Sequence, residues 1–499
     1  MSSSFYFLVV LHGILIVVLG NNLCIFKECD CEGTIILCSE LGLTKIPERV
    51  ATNYTDFQLL DLEINMITSI PSGSLPANIQ ELTLMENPIA TIDDSAFDDC
   101  ANTLQTLTFS AARFTRIPDA FLRLKQLKSF SIYGTTIWDW NPMAMNSLGQ
   151  TLQTLDLVIC NITIWPQWVK NFTGLTELNL SGNFISSIPD DALDLLSNIL
   201  TSLSLANNSL TSVPKTFSKL NALTMLNLQQ NRISDVSWLP PNCKLTSLSL
   251  NFNKISDAVQ LSNALLPFAT SLNHLDVDNN ILTAIPDLGF LKFIPSLDFS
   301  SNKMSDSLSG SAPPNTNSLD FESNAFRFIP KILWSVKEVT YMILSSNRIT
   351  DLGEMSFPPW IVGAELGYNL LVELKDLSFP ENSTMQFLNL NNNPICRISD
   401  NAFKNLPQLY FLNLQYTELT RLPLGLASAK GLSDLDLSGS VYLVCTCAEI
   451  NLRQWILSRS DRGVNGDCGS TSIWTFYRDL SPFCPEPITL NYQTVTYLR

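Results

Sequence analysis

Histidine is nearly missing from this chain: one of its two residues, His12, lies in an apolar leader, which leaves His274 alone in the body. Most hydrolytic triads and most zinc centres use an imidazole, so nearly every enzymatic reading rests on that single residue. Positive charge is scarce too, with 30 basic residues against 46 acidic and a formal net charge of −16, which disfavours nucleic acid and anionic lipid as partners. No glycine-rich phosphate cradle, kinase signature or helical zinc motif is present, and no cofactor is expected. The fifteen residues after Cys484 contain no apolar run of the roughly 18 residues that a membrane span requires.

What is present suffices for a core, since 45% of the 499 residues are apolar and only 15% are charged. Residues 1–20 read as a signal peptide, with apolar stretches Phe5–Leu11 and Gly13–Leu19 and small residues at Val18 and Gly20. A retained anchor is the alternative, and the short apolar length argues against it. Of twelve cysteines, eight crowd the two ends: Cys24, Cys29, Cys31 and Cys38, then Cys445, Cys447, Cys468 and Cys484. Such clusters read as disulfides in a secreted chain, or as zinc sites where thiols stay reduced; the leader favours disulfides. Sequons at Asn53, Asn161, Asn171, Asn179, Asn207 and Asn382 agree with extracellular exposure.

A frame of apolar, x, x, apolar, x, apolar, x, x, Asn, x, apolar recurs every 22 to 27 residues. Its asparagine position falls on Asn65, Asn87, Ala112, Thr135, Cys160, Asn183, Asn208, Asn231, Asn253, Asn280, Asn302, Asn324, Asn347, Asn369, Asn393, Thr417 and Ser440. The apolar, x, apolar centre alternates with period two, as a strand buried on one face must. Phrases such as Ile188-Pro189, Val213-Pro214, Ile329-Pro330 and Leu422-Pro423 then end the ladder, because proline lacks the donor it needs. Each copy therefore makes a strand and a return segment that bury a shared apolar column by stacking. The ladder amide is expected to satisfy backbone groups inside the turn, a task that Thr135, Cys160, Thr417 and Ser440 can share and Ala112 cannot. Three successive substitutions predict that Ala112 to Cys160 is the least regular part of the stack.

This frame resembles the leucine-rich-repeat family across nearly the whole mature chain. The phenylalanines of the return segments, Phe97, Phe121, Phe217 and Phe403, resemble the roughly 24-residue class of animal extracellular receptors rather than the plant class. The resemblance implies an α/β solenoid, a horseshoe with a concave parallel β-sheet and about 17 repeats. The terminal cysteines resemble the family's caps, which implies the pairs Cys24–Cys31, Cys29–Cys38, Cys445–Cys468 and Cys447–Cys484, and an ectodomain capped at both ends. The expected layout is a signal peptide at 1–20, an N-terminal cysteine cap at 21–50, leucine-rich repeats at 51–443, and a C-terminal cap and tail at 444–499. Cys100, Cys160, Cys243 and Cys396 fall in different coils, too distant to bridge, and are expected to be buried thiols.

On such a sheet the residues six, four, two and one places before each ladder position face outward, and none is Lys or Arg. Acids are frequent there, among them Asp276, Asp278, Asp298, Asp320, Glu322, Glu365, Asp434 and Asp436. Asp276, Asp298 and Asp320 occupy one place on consecutive strands; their repulsion reads either as a seat for a cationic ligand or as a habit of the family. Beside them Tyr341, Phe387 and Phe411 share a column interrupted by Gly363, and Tyr368 and Tyr416 share another. They read as an interface hot spot, or as rings that only shield one another. His274, with Ser247 and Ser296 at equivalent places and Asp276 two residues on, forms a Ser, His, Asp grouping, but a flat sheet offers no oxyanion pocket. The expectation is therefore a secreted, non-enzymatic protein that binds a protein or peptide of basic surface through residues from His274 to Asp436. The alternatives are a structural matrix component and an inhibitor of a secreted hydrolase.

Overall fold

The apolar residues five and three places before each ladder position cannot remain in water, and their spacing puts both on one side of a short strand. A computed structural model shows them there, with Leu226 and Leu228 only 2% and 0% exposed. It describes residues 24–50, 56–353, 357–459 and 463–484. The leader 1–20, the Asn53 sequon and the tail beyond Cys484 lie outside the described residues. The chain divides into two compact units, Met1–Asn161 and Ile162–Arg499, so the division falls within the stretch that the sequence reads as one repeat array.

In the first unit, strands Ile35–Leu37, Leu59–Asp61, Glu81–Leu84, Thr106–Ser110, Ser129–Tyr133 and Thr154–Val158 pair in parallel in chain order. Asp30–Glu32 closes the first edge as an antiparallel hairpin, inside a cap that carries the Cys24–Cys31 and Cys29–Cys38 disulfides. The second unit repeats the arrangement from Glu177–Asn179 to Asp434–Asp436. Val464–Asn465 completes it beside the Cys445–Cys468 and Cys447–Cys484 bridges. On the return side several coils pass through short 3-10 turns that follow Pro118, Pro166, Pro214, Pro330 and Pro423 or through helices Pro142–Leu148 and Ala258–Leu265, and others pair in two-residue strands, Ser69–Ile70 with Thr91–Ile92 and Glu373–Leu374 with Arg397–Ile398. Proline suits the start of these turns because the donor it lacks would be orphaned there anyway.

The asparagines join one coil to the next. Asn280 donates through Nδ2 to its own coil at Val277 O (3.2 Å) and to the preceding coil at Leu250 O (3.0 Å), and its Oδ1 accepts from Ile255 N at 3.0 Å. Asn231 and Asn369 make equivalent sets. The residue before the ladder position takes a positive φ in coil after coil, as at Gln230, Phe252, Asn279, Tyr368 and Tyr416. A side chain in that left-handed region costs roughly 1–2 kcal/mol, which the amide's bonds to the turn offset.

The structure corrects two expectations. The stretch from Ala112 to Cys160 is no less regular than the rest: its strands Ser129–Tyr133 and Thr154–Val158 extend over five residues each and pair along their whole length. Hydroxyl and thiol take over the amide's task, since Thr135 Oγ1 accepts from Ala112 N at 3.2 Å and Cys160 Sγ donates to Ile132 O at 3.4 Å. Cys100, Cys160 and Cys243 are buried thiols, and burial pushes the first two up to about 12. Cys396, by contrast, is exposed, because it stands just before the short return-side strand Arg397–Ile398, at a position that faces water together with Arg397.

Removing one ladder amide takes the partner from four backbone groups, as Asn280 shows with Ile255 N and the carbonyls of Leu250, Val277 and Asp278. Asn280→Ala is therefore expected to lower unfolding stability by about 2–3 kcal/mol, read as a shift in the urea midpoint, with no comparable loss for the exposed Asn273→Ala.

Candidate functional site

The outward residues named from the sequence between His274 and Asp436 all lie in the second unit, on one face of one sheet. Parallel pairing keeps equivalent positions level: Asp276 lies opposite Asp298, and Asp298 opposite Asp320. Tyr341 is level with Gly363, Gly363 with Phe387, Phe387 with Phe411, and Phe411 with Asp434.

Turn geometry holds the acidic run in place. Asp298 accepts from Ser300 N and Asp320 from Glu322 N, both at 2.8 Å, so each carboxylate closes the bend that follows its strand. Burial pushes Asp320 up to about 6, its backbone bond opposes the shift, and the charges of Asp298, Glu322 and Asp278 add to it. Burial likewise raises Asp278, helped by the charges of Asp298 and Asp276, and raises Asp434, helped by Asp436. Loss of hydration thus outweighs the mutual repulsion that the sequence suggested as the main strain. Among the described residues, no lysine or arginine ion-pairs with Asp278, Asp298, Asp320, Glu322, Glu365, Asp434 or Asp436. The cations instead bridge neighbouring coils elsewhere, as in Lys219–Asp194, Lys375–Asp351 and Arg397–Glu373.

The aromatic column is continuous across its glycine. A Cβ on Gly363 would collide with the Tyr341 ring, so the missing side chain is what allows Tyr341 to lie over that strand. The ring then comes within 6.1 Å of Phe387, which stacks on Phe411 at 4.5 Å with only 2° between planes. The Tyr341 hydroxyl donates to Glu365 Oε1 at 2.9 Å, and Asn389 Nδ2 donates to Oε2 at 2.6 Å. Tyr368 and Tyr416, lifted by their positive φ, are 59% and 60% exposed. Asn392 stands between them in that column, and Tyr416 covers Gly439 as Tyr341 covers Gly363.

The Ser, His, Asp grouping takes a different form from the one expected. Asp276 Oδ2 accepts from Ser249 Oγ at 2.9 Å and meets His274 Nε2 at 3.1 Å, while Ser247 lies level with His274 across the ladder. The carboxylate, not the imidazole, is the hydroxyl's partner, so His274 is not placed to take a proton from that serine.

A sequence profile of the family described as Leucine rich repeat matches residues 173–233, 198–255 and 365–419, within the unit that carries this face. The chain carries leucine-rich repeats. The repeat protein is 29% identical over 136 residues to Toll-like receptor 10 of Bos taurus, covering 26% of this chain and 17% of that one. It is 30% identical over 168 residues to podocan of Mus musculus, covering 32% and 26%. The aligned stretches thus span less than half the length of these curated relatives. Among solved structures, a leucine-rich-repeat protein of Leptospira interrogans has the same fold, with a TM-score of 0.57, 23% identity, and 83% of this chain and 96% of that chain covered. Among the described residues no helix is long and apolar enough to cross a membrane.

The raised Asp320 sets a pH signature. Its folded value of about 6 exceeds the ordinary 3.8, so the native state holds the extra proton between those values and stability falls as pH rises through that window. Asp320→Asn is expected to gain about 1 kcal/mol at pH 7, after allowance for screening of this half-buried group, and nothing at pH 3.5. Urea titrations at the two pH values check this.

Proposed function

We propose that the repeat protein is an extracellular recognition module that binds a protein or peptide of basic surface through its sheet face, from His274 to Asp436. One observation carries the reading: seven carboxylates without a basic partner among the described residues share a sheet face with a stacked aromatic column, and the outward positions of that face hold no Lys or Arg. Carboxylates held on such a face gain from a cation, and clustered rings supply the apolar area that anchors interfaces. Toll-like receptor 10, one of the relatives, is itself named a receptor. Four disulfides suit an oxidising compartment.

The sequons sharpen the location. Asn207 is exposed at the turn after strand Ser202–Ser204, and a glycan there would occupy the sheet face ahead of His274. Asn179 sits on the neighbouring strand Glu177–Asn179, where its Oδ1 accepts from Ser181. Sugar at either position leaves the face from His274 onward for the partner.

The test is capture from an arrayed library of extracellular proteins, with affinities of the captured partner measured for the wild type and two double variants. Asp298→Lys with Asp320→Lys, and Phe387→Ala with Phe411→Ala, are each expected to weaken binding at least about 100-fold while the circular dichroism spectrum is kept. Unchanged affinity in both would sink the reading.

A further inference from the structure

The column four places before the ladder residues runs Asp276, Asp298, Asp320, Ile343, Glu365, Asn389 across successive strands. One apolar side chain therefore separates the aspartate run from Glu365. The two sides of this gap are built differently. Asp298 and Asp320 are tied to their own turns, whereas Glu365 is gripped by two neutral side-chain donors, Tyr341 Oη at 2.9 Å and Asn389 Nδ2 at 2.6 Å. Neutral donors fix the plane of a carboxylate and leave its charge uncancelled, and two bonds use only half of its acceptor sites. The rings of Tyr341 and Phe387 stand beside it, 6.1 Å apart. A fixed carboxylate next to aromatic rings matches a guanidinium, which pairs through its planar fork and stacks on rings; an ammonium does neither as well.

Resting on the reading above, we propose that Glu365, Tyr341 and Phe387 seat an arginine side chain, and that Asp298 and Asp320 take a second basic side chain four residues away in the same extended peptide. The spacing follows from the sheet. From between Asp298 and Asp320 to Glu365 is two and a half strand steps, about 12 Å at the usual strand separation. An extended peptide laid across the strands advances about 3.3 Å per residue, so side chains at i and i+4 share a face about 13 Å apart. The side chain at i+2 then falls over Ile343, the apolar gap.

The test is a fluorescence-polarisation titration of the full chain with labelled alanine-based nonapeptides carrying isoleucine at position 5. One bears arginine at positions 3 and 7, a second bears arginine at 3 and 4, and a third bears lysine at 3 and 7. The first is expected to bind at least about tenfold more tightly than either of the others. Glu365→Gln is expected to erase the advantage of arginine over lysine, whereas Asp298→Asn with Asp320→Asn weakens both 3,7 peptides alike. Equal affinity for the two arginine spacings, or an arginine preference that survives Glu365→Gln, overturns the dibasic seat. If all peptides then still bind and Asp298→Lys with Asp320→Lys abolishes that binding, the broader recognition reading stands without it. If no peptide binds, the seat is likewise overturned, and the library capture decides the broader reading by itself.

Discussion

Everything in this molecule depends on what becomes of the backbone groups in the turn after each strand. A coil that reverses direction inside a dry stack leaves carbonyls and an amide with no water to meet, and each such group would cost a large part of a hydrogen bond. The ladder side chain resolves this by bonding to its own coil and to the preceding one, as Asn280 does with Val277 and Leu250. Because the same amide serves two coils, it also locks their register. Level register is what lines up equivalent outward residues, so the aspartate run and the aromatic column follow from the same bonds. The constraint is chemical rather than specific to asparagine: Thr417 Oγ1 bonds to Leu414 O, and Ser440 Oγ reaches that same carbonyl in the preceding coil.

Charge is segregated on this framework. The cations that pair do so away from the sheet face, where Lys219–Asp194, Lys375–Asp351 and Arg397–Glu373 link one coil to the next. Surface pairs of this kind contribute about 0–1 kcal/mol each, so their larger consequence is for recognition: they leave no cation to neutralise the acids on the face. A face of one sign attracts an oppositely charged partner over a distance and speeds its arrival. The aromatic column supplies what charge cannot, an apolar contact that holds once water has left.

Much of this was legible in the sequence because a repeat of fixed period makes face assignment a matter of counting. Alternation assigned Asp298, Asp320, Phe387 and Phe411 to the outward side, and the structure has them there. Counting failed where one residue's role depends on another coil. Gly363 reads as a break in the aromatic column, yet it is the gap that lets Tyr341 lean toward Phe387 and reach Glu365. Thr135 and Cys160 read as lost asparagines, yet their smaller polar groups meet the same kind of need. Cys396 reads as core by analogy with the other thiols, but it lies on the outer side of its return segment, exposed beside Arg397.

The sequence by itself determined the repeat, the strand faces, the absence of positive charge from one of them and the cysteine-rich ends, since each follows from period or composition. Only the tertiary structure decided how those residues are held: that burial, ahead of repulsion, raises Asp320; that Ser249, rather than Ser247, meets Asp276; and that Glu365 is gripped by two neighbours. The physical reason is that hydration and hydrogen-bond partners depend on atoms brought in from coils more than twenty residues away, and the period of a single coil carries no record of those atoms.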